Sequence, residues 1–353
     1  MPDTALPHQS PAAPKTRYVW IDTARGLTMI FVVLLHADVV AQAMGRPALL
    51  ITLFNYALYP LRMPMFFLVS GMLSAALLRR SAGEVMRRRV WHYAWLYLLW
   101  SVIYAVVHAW ALRDLGPPGM QAYYNNIETP LEALIVTWNN TWFLYALGLF
   151  YAAALAMRRL PVPVQVVLAL AAAVPGVLNL GEAIGAPVID RFYHFPYFML
   201  GILGGERLRQ AIPRLGKPLI LAALAISLLV LAALAHRERI LRDPLVIAAL
   251  SVLAMPAELS TAVLVTRHLS WLARGLQAIG RNTLAVYVLH TITLRVLLAL
   301  VPPLLPGVVQ LPLLTLAAIA LAIACGRLLE RIPGLFGLPT FGRRPAREEL
   351  ART

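Results

Sequence analysis

The sequence predicts an all-α, polytopic membrane protein with about ten transmembrane helices and both termini in the cytoplasm. Its 353 residues are 60% hydrophobic and only 13% charged, with a mean hydropathy of +0.72. Soluble domains are nearer ~45–50% apolar and ~25% charged. Apolar runs of about 20 residues, the length that crosses a bilayer once, recur along the chain. The composition therefore excludes a soluble globular architecture.

The apolar runs define the predicted spans and the limits of the domain. The spans are expected near residues 19–42, 49–78, 90–112, 138–157, 162–180, 192–206, 219–235, 244–265, 279–301 and 311–329. Residues 1–14, rich in Pro and Ala, are expected to be a disordered tail. Residues 15–332 would form the transmembrane domain, and residues 333–353 a basic cytoplasmic tail. The first run carries ionisable residues, so we interpret it as a retained span rather than a cleaved signal peptide.

Arginine and lysine residues cluster in alternate loops between the predicted spans. The cation-rich loops are 79–89, 158–159, 207–217 and 267–274, and the cluster at 237–242 is a misfit. The positive-inside rule then puts both termini in the cytoplasm. The same rule accounts for the net charge of +15 without a nucleic acid partner. A single cysteine, Cys325, excludes an intrachain disulfide and a cysteine-based metal site, and no metal is predicted.

The first span carries three ionisable residues in an otherwise apolar run. Arg25 and His36 are eleven positions apart, so they share one helix face to within about 20° and are separated by roughly 16 Å along the axis. Asp22 lies one turn before Arg25 on that face. Ionisable groups in hydrocarbon are costly and usually functional. A structural ion pair with a buried histidine that bonds a neighbouring helix is the alternative interpretation.

Three consecutive arginines lie at the predicted cytoplasmic end of the third span. Arg87, Arg88 and Arg89 could bind phosphate groups, because the guanidinium group pairs well with phosphate oxygens. They could equally signal topology and contact anionic lipids. The sequence leaves both alternatives open.

Asn139, Asn140 and Trp142 open the fourth span at the predicted outer face. Tryptophan at a membrane interface is commonly a belt anchor, but two neighbouring asparagines also suggest a platform for a sugar. His290 lies in a later apolar span, where a hydrogen bond between helices is the simpler interpretation.

Five segments, in order along the chain, resemble the acyltransferase-3 family of membrane O-acyltransferases. The first is the motif of an arginine, ten intervening residues and a histidine, which here consists of Arg25 and His36. The others are residues 62–71 with Pro-x-Phe-Phe-x-x-Ser-Gly, 141–147 with Trp-Phe-Leu-x-x-Leu, 197–202 with Phe-x-x-Gly, and 279–290 with Gly-x-x-Thr-Leu-x-x-Tyr-x-x-His. One departure stands at the third helix, where the family often has Arg-x-x-Arg and this chain has Arg89 followed by His92.

The resemblance implies transfer of an acyl group, most often acetyl, from cytoplasmic acetyl-CoA to a sugar hydroxyl on the far side. Such a hydroxyl needs a base to remove its proton, and we assign His36 to that role. Asp22 and Arg25 would hold the pantetheine arm of the donor or shape the cytoplasmic mouth.

The resemblance also suggests where the two substrates bind. The cofactor-binding residues would be Arg87, Arg88, Arg89 and His92, which would hold acetyl-CoA. The acceptor-binding residues would be Asn139, Asn140, Trp142 and Tyr145, which would hold a carbohydrate.

The expected location is the bacterial inner membrane, with membrane lipids as further partners. A secondary transporter or flippase of a glycan or organic anion is the alternative, although the chain lacks a matching pair of interrupted segments. The identity of the acceptor glycan, the choice between acetyl and succinyl donors, and whether the protein is a homo-oligomer stay open at this stage.

Overall fold

The computed structural model describes residues 18–107, 111–112, 115, 141–183, 189–214 and 243–339. Within these ranges the chain is helical and contains no strand. The longer helices are α1 (Val19–Ala43), α2 (Leu49–Ala57), α3 (Tyr59–Ser74), α4 (Trp91–Val106), α5 (Trp142–Met157), α6 (Val162–Val177), α7 (Phe195–Ala211), α8 (Pro244–His268), α9 (Ser270–Arg281), α10 (Thr283–Leu300) and α11 (Gly307–Leu329). The shorter helical segments are Leu77–Arg79, Ala82–Val85, the π-helical turn Met86–Val90, Leu180–Ala183, Ile189–His194 and Ile212–Arg214.

Four of the described helices are long and apolar enough to cross a membrane. These are α1, α8, α10 and α11, with 25, 25, 18 and 23 residues. Helices α5 and α6 are apolar but shorter, with 16 residues each. The all-helical class is therefore confirmed for the described residues, whereas the total of about ten spans and the cytoplasmic termini stay predictions. The predicted span at 219–235 lies outside the described residues.

Helix α1 is the centre of the bundle. It packs against α2, α3, α8, α9, α10 and α11, and most of its residues are buried although its sequence is apolar nearly all round. A helix that is hydrophobic on every side is expected to be surrounded by other helices or lipid. The polar residues of α1 therefore face protein neighbours.

Two predicted spans differ from the observed helices because the chain breaks inside them. The run 49–78 forms two helices, α2 and α3, that meet at Leu58. Pro60 fits this break because it lies in the first turn of α3, where its missing amide hydrogen costs no helical hydrogen bond, whereas inside a continuous helix it would remove one. The run 279–301 divides at Asn282, so that its first residues belong to α9 and the membrane-length helix α10 begins at Thr283.

Helix α9 was not predicted, because its sequence was treated as a loop between spans. It has basic residues on one side and buries Ala273, Leu276 and Gly280. The backbones of α1 and α9 approach so closely that a Cβ atom on Gly280 would lie 1.9 Å from the Asp22 carbonyl oxygen. A Cβ atom on Gly26 would lie 2.0 Å from the Leu276 carbonyl oxygen. Small residues at helix crossings allow this approach.

We expect Gly280→Ala to destabilise the protein, because the added methyl group must push α9 away from α1. Overpacking of this kind typically costs about 1–3 kcal/mol. Gly275→Ala is the matched control on the same helix, since no described atom lies within 4 Å of the position that its Cβ atom would take. Thermal unfolding of the purified protein in detergent measures both. Equal unfolding midpoints for the two variants would contradict the close packing of α1 against α9.

Candidate active site

A cavity of about 110 Å³ lies between five helices. Its lining comes from α1, α3, α4, α5 and α10. Most of the lining is apolar, and it draws on both hydrophobic clusters of the bundle. The polar members are Arg25, Ser70, His92, Tyr93, Thr283 and Tyr287. A narrow, largely apolar cavity with a few placed polar groups is the usual form of a small-molecule site.

Arg25 is held at the cavity by one group on α10 and by one group on its own helix. One of its terminal guanidinium nitrogens (Nη2) donates a hydrogen bond to the Thr283 hydroxyl oxygen at the start of α10. Its Nη1 lies 3.9 Å from the Asp22 carboxylate, one turn back on α1. The Asp22 side chain is 11% exposed and that of Arg25 29%. The close packing at Gly280 brings the Asp22 backbone to this point, so the contact between α1 and α9 also positions Arg25.

His36 lies roughly three turns further along α1 and faces a second histidine. Its ring centroid is 4.9 Å from that of His290 on α10. The Nδ1 atom of His36 is buried and has no hydrogen-bond partner among the described residues. A histidine nitrogen in this situation can accept a proton from an incoming group.

His290 has a defined hydrogen-bonding state. Its Nδ1 lies 2.7 Å from the Tyr287 carbonyl oxygen and 3.1 Å from the Val286 carbonyl oxygen. Carbonyl oxygens only accept, so Nδ1 carries the hydrogen and, in the neutral ring, Nε2 has the free lone pair. Nε2 is buried and unpartnered within the described part of the chain. The simpler interpretation of the sequence was a hydrogen bond from His290 to another helix. Among the described residues its hydrogen bonds are to its own helix, and its contact with α1 is a ring contact with His36.

Tyr287 connects the cavity to this histidine pair. Its ring lines the cavity, and its centroid is 6.1 Å from that of His290. The backbone amide of Phe143 donates to the Tyr287 hydroxyl oxygen at 3.2 Å. Arg25 and His36 therefore both contact α10, at Thr283 and His290, and Tyr287 lies between these two positions on that helix.

A buried polar network lies just beyond His36. The Asp38 carboxylate accepts hydrogen bonds from Thr52 and from Asn55, each at 3.1 Å. Nη1 of Arg62 donates to the Asn55 backbone carbonyl at 3.0 Å and lies 3.3 Å from its side-chain oxygen. Asp38, Asn55 and Arg62 are all buried. This network was not predicted, although the sequence has an acid two residues after His36 and an arginine in the second predicted span.

A second missed group is Glu258, in the middle of α8. This side chain is 4% exposed, and its Oε1 accepts a hydrogen bond from the Thr28 hydroxyl at 2.6 Å. Its other oxygen is buried without a partner among the described residues. An acid inside the predicted span 244–265 was the available signal.

The three arginines before α4 do not share one environment. Arg87 and Arg88 are exposed, and Nε of Arg88 lies 3.1 Å from the Glu84 carboxylate. The Arg89 guanidinium is turned inward, with its carbon 5.7 Å from the Tyr151 ring centroid and its Nε buried. His92 lines the cavity. Of the four residues that were predicted to bind acetyl-CoA, His92 lines the same cavity as Arg25, whereas Arg87 and Arg88 lie on the surface.

The predicted acceptor residues are only partly covered by the structure. Asn139 and Asn140 lie outside the described residues. Trp142 stacks on His194 with ring centroids 5.7 Å apart. Tyr145 packs against Tyr97 with centroids 5.0 Å apart. Trp142 and Tyr145 begin the same helix, α5, whose next turns line the cavity.

Among the described residues, no group of three or more histidine, cysteine, aspartate or glutamate side chains could hold a metal ion. The polar groups that line the cavity are a guanidinium, an imidazole and hydroxyls instead. Such a set suits the binding of an anionic cofactor and the transfer of a proton.

The apolar helices and the charged groups buried inside the bundle define a membrane protein with an internal polar site. The sequence profile of the acyltransferase-3 family, described as an acyltransferase domain, matches residues 18–327. The chain therefore belongs to this family of membrane acyltransferases. It is also similar to the inner membrane protein YcfT of Escherichia coli (strain K12), with 24% identity over 303 residues, which cover 80% of this chain and 81% of YcfT. No solved structure matches the chain significantly.

Proposed function

We propose that this acyltransferase is an O-acetyltransferase of the bacterial inner membrane, with acetyl-CoA as the cytoplasmic donor and a carbohydrate hydroxyl on the outer side as the acceptor. The observation that carries the proposal is the placement of two groups on one face of α1. Arg25 lies at the cavity, and His36 lies roughly three turns further on, against His290. The family membership supports the reaction class.

The cavity fits one part of the donor. Its apolar walls suit a thin pantetheine arm, and Arg25 and His92 offer hydrogen-bond donors along it. The exposed Arg87 and Arg88 lie before α4, the helix that contributes His92, where they suit the phosphate groups. Bound in this way, the donor supplies an acyl group activated as a thioester.

In the proposed reaction His36 takes the proton from the acceptor hydroxyl. The hydroxyl oxygen then bonds to the acyl carbon, and the bond from that carbon to sulfur breaks. The proton held by His36 balances the thiolate that leaves, so no further reactant is needed. General-base assistance of this type typically contributes about 10²–10⁴-fold.

The distribution of charge at the two ends of the bundle supports the proposed orientation. Arg25 shares its end with Arg158 and Arg209, which contact backbone carbonyls of the segment around α3. The positive-inside rule makes this the cytoplasmic end. His36, Asp38 and Arg62 then lie nearer the outer face, where the acceptor would arrive.

Sealed vesicles of known orientation test the proposal directly. Labelled acetyl-CoA on the cytoplasmic side is expected to esterify a glycan extract that is present only on the opposite side, while free CoA stays behind. If glycan or donor crosses the membrane intact and no ester forms, the protein is a transporter and the proposal is wrong. If transfer requires both substrates on one side, the orientation of His36 is wrong.

The exposed arginines provide a prediction for the donor side. We expect the double variant Arg87→Gln/Arg88→Gln to raise the KM for acetyl-CoA severalfold and leave kcat nearly unchanged. Contacts between exposed charges are screened by salt, so the KM of the variant should also depend less on ionic strength. Initial rates at low and high salt measure both effects.

The control for this prediction is Arg79→Gln/Arg80→Gln, which removes two cations from the preceding segment, outside the turn Met86–Val90. An unchanged KM in the Arg87/Arg88 variant, together with altered membrane topology, would mean that these arginines are orientation signals only.

A further inference from the structure

Arg191 is a partly buried cation whose electrostatic neighbours include the acid that precedes it, Asp190. It lies in the short helical segment Ile189–His194 that leads into α7. Its guanidinium carbon is 4.8 Å from the centroid of the Trp142 ring. Its Nε is buried without a hydrogen-bond partner, and no ion pair in the described part of the chain includes it. The neighbouring acid, Asp190, uses Oδ1 to accept from the Gly181 amide at 2.8 Å.

His194 completes this arrangement from the same segment. Its ring stacks on Trp142 and on Phe67, with centroids 5.7 Å and 5.3 Å apart. Its Nδ1 is buried and, among the described residues, unpartnered. The Arg191 guanidinium and the His194 imidazole, two potential hydrogen-bond donors, therefore both lie against the Trp142 ring. Stacking on Trp142 and on Phe67 holds the His194 ring in place.

This cluster adjoins the proposed catalytic path. Trp142 is followed by Phe143, whose side chain lines the cavity and whose amide bonds the Tyr287 hydroxyl. Tyr287 in turn lies beside His290, which faces His36. Side-chain contacts through Phe143, Tyr287 and His290 thus connect Trp142 with His36.

We propose that Arg191, His194 and Trp142 form a subsite for an anionic group, a carboxylate or a phosphate, on the acceptor carbohydrate. This inference rests on the proposed function and narrows the acceptor to an acidic glycan. A guanidinium group held by stacking on an aromatic ring keeps its planar set of donors aligned for a carboxylate or phosphate. The Arg191 guanidinium is partly buried and makes no ion pair within the described residues, so an anionic ligand would pair with a charge that has already lost part of its hydration. The Trp142 ring offers an apolar face to a sugar ring.

The test measures binding separately from catalysis. Calorimetric titration of the purified protein in neutral detergent uses three probes: D-glucuronate, glucose 1-phosphate and glucose. We expect the wild-type protein to bind the two anionic sugars about tenfold more tightly than glucose. Arg191→Gln should remove this preference, and Arg191→Lys should retain part of it, because lysine keeps the charge and loses the paired donors.

Arg46→Gln is the matched control. Arg46 follows α1 at the end nearer His36, and its Nη1 donates to the Leu298 and Val301 carbonyl oxygens at 3.3 and 3.4 Å. This variant should keep the preference for anionic sugars. If Arg191→Gln does not fold, His194→Phe keeps the ring stack and removes Nδ1, and it should weaken the preference as well.

Three results would overturn the proposal. The first is no binding, or no preference for anionic sugars, in the wild-type protein, and the second is a preference that persists in Arg191→Gln. The third is a preference that is lost in phosphatidylglycerol nanodiscs but kept in phosphatidylcholine nanodiscs. The last result would assign the site to a lipid headgroup. The vesicle assay separates these failures from those of the proposed function. Ester formation without a preference for anionic sugars removes only the subsite, whereas an absence of ester formation removes the acyl transfer itself.

Discussion

Replacing His36 with alanine is expected to abolish acyl transfer and to leave the protein folded in the membrane. The change removes one imidazole from α1 without shortening the helix, and within the described residues His36 has no side-chain hydrogen bond at Nδ1 to lose. The loss of a general base predicts a fall of about 10²–10⁴-fold in the transfer rate. Ester formation on the outer face of oriented vesicles, normalised to the amount of folded protein, measures the effect.

The matched control for His36→Ala is His268→Ala. His268 is exposed at the end of α8, so its removal should leave the rate unchanged. Near-normal ester formation by a well-expressed His36→Ala variant would show that another group removes the proton.

The second large effect is expected from Arg25→Gln. Glutamine keeps polar atoms but loses the charge and the reach that bring Arg25 to Thr283 and to the cavity. Charge-assisted hydrogen bonds contribute about 1.5–3 kcal/mol, which corresponds to about 10- to 100-fold in affinity. We expect the loss of donor affinity to appear mainly as a higher KM for acetyl-CoA, and we expect Arg25→Lys to restore part of it. Steady-state kinetics at varied acetyl-CoA concentration will separate KM from kcat.

Arg267→Gln is the control for Arg25→Gln, because Arg267 is an exposed cation in the last turn of α8. If Arg25→Gln lowers the unfolding temperature strongly and leaves the KM unchanged, Arg25 is a structural residue, which is the alternative that the sequence left open.

The sequence predicts α1 and its polar face well because both depend on local spacing. A continuous apolar run specifies the helix, and a separation of eleven residues fixes the relative direction of Arg25 and His36 whatever surrounds them. The same logic predicts α8 and α11 to within a few residues at each end. Such features need no information about neighbouring helices.

Features that depend on contacts between different helices could not be predicted from local spacing along the chain. The facing rings of His36 and His290 join residues 254 positions apart on two helices. The Glu258 carboxylate accepts a hydrogen bond from Thr28, which lies 230 positions away in the sequence. Hydropathy measures how apolar a segment is and contains no information about what the segment contacts. It also does not detect α9, because that helix has too many polar residues to resemble a membrane span.

The π-helical turn Met86–Val90 separates the two environments of the arginines before α4. Such a turn amounts to one extra residue within an α-helix, and one residue corresponds to about 100° of rotation. The backbone register, more than side-chain chemistry, therefore decides that Arg87 and Arg88 face outward and Arg89 faces Tyr151. In a relative with one residue fewer at this turn, the residues that follow would be rotated by about 100° about the helix axis relative to those before it. An alignment that matches arginine to arginine there would then compare residues that point in different directions.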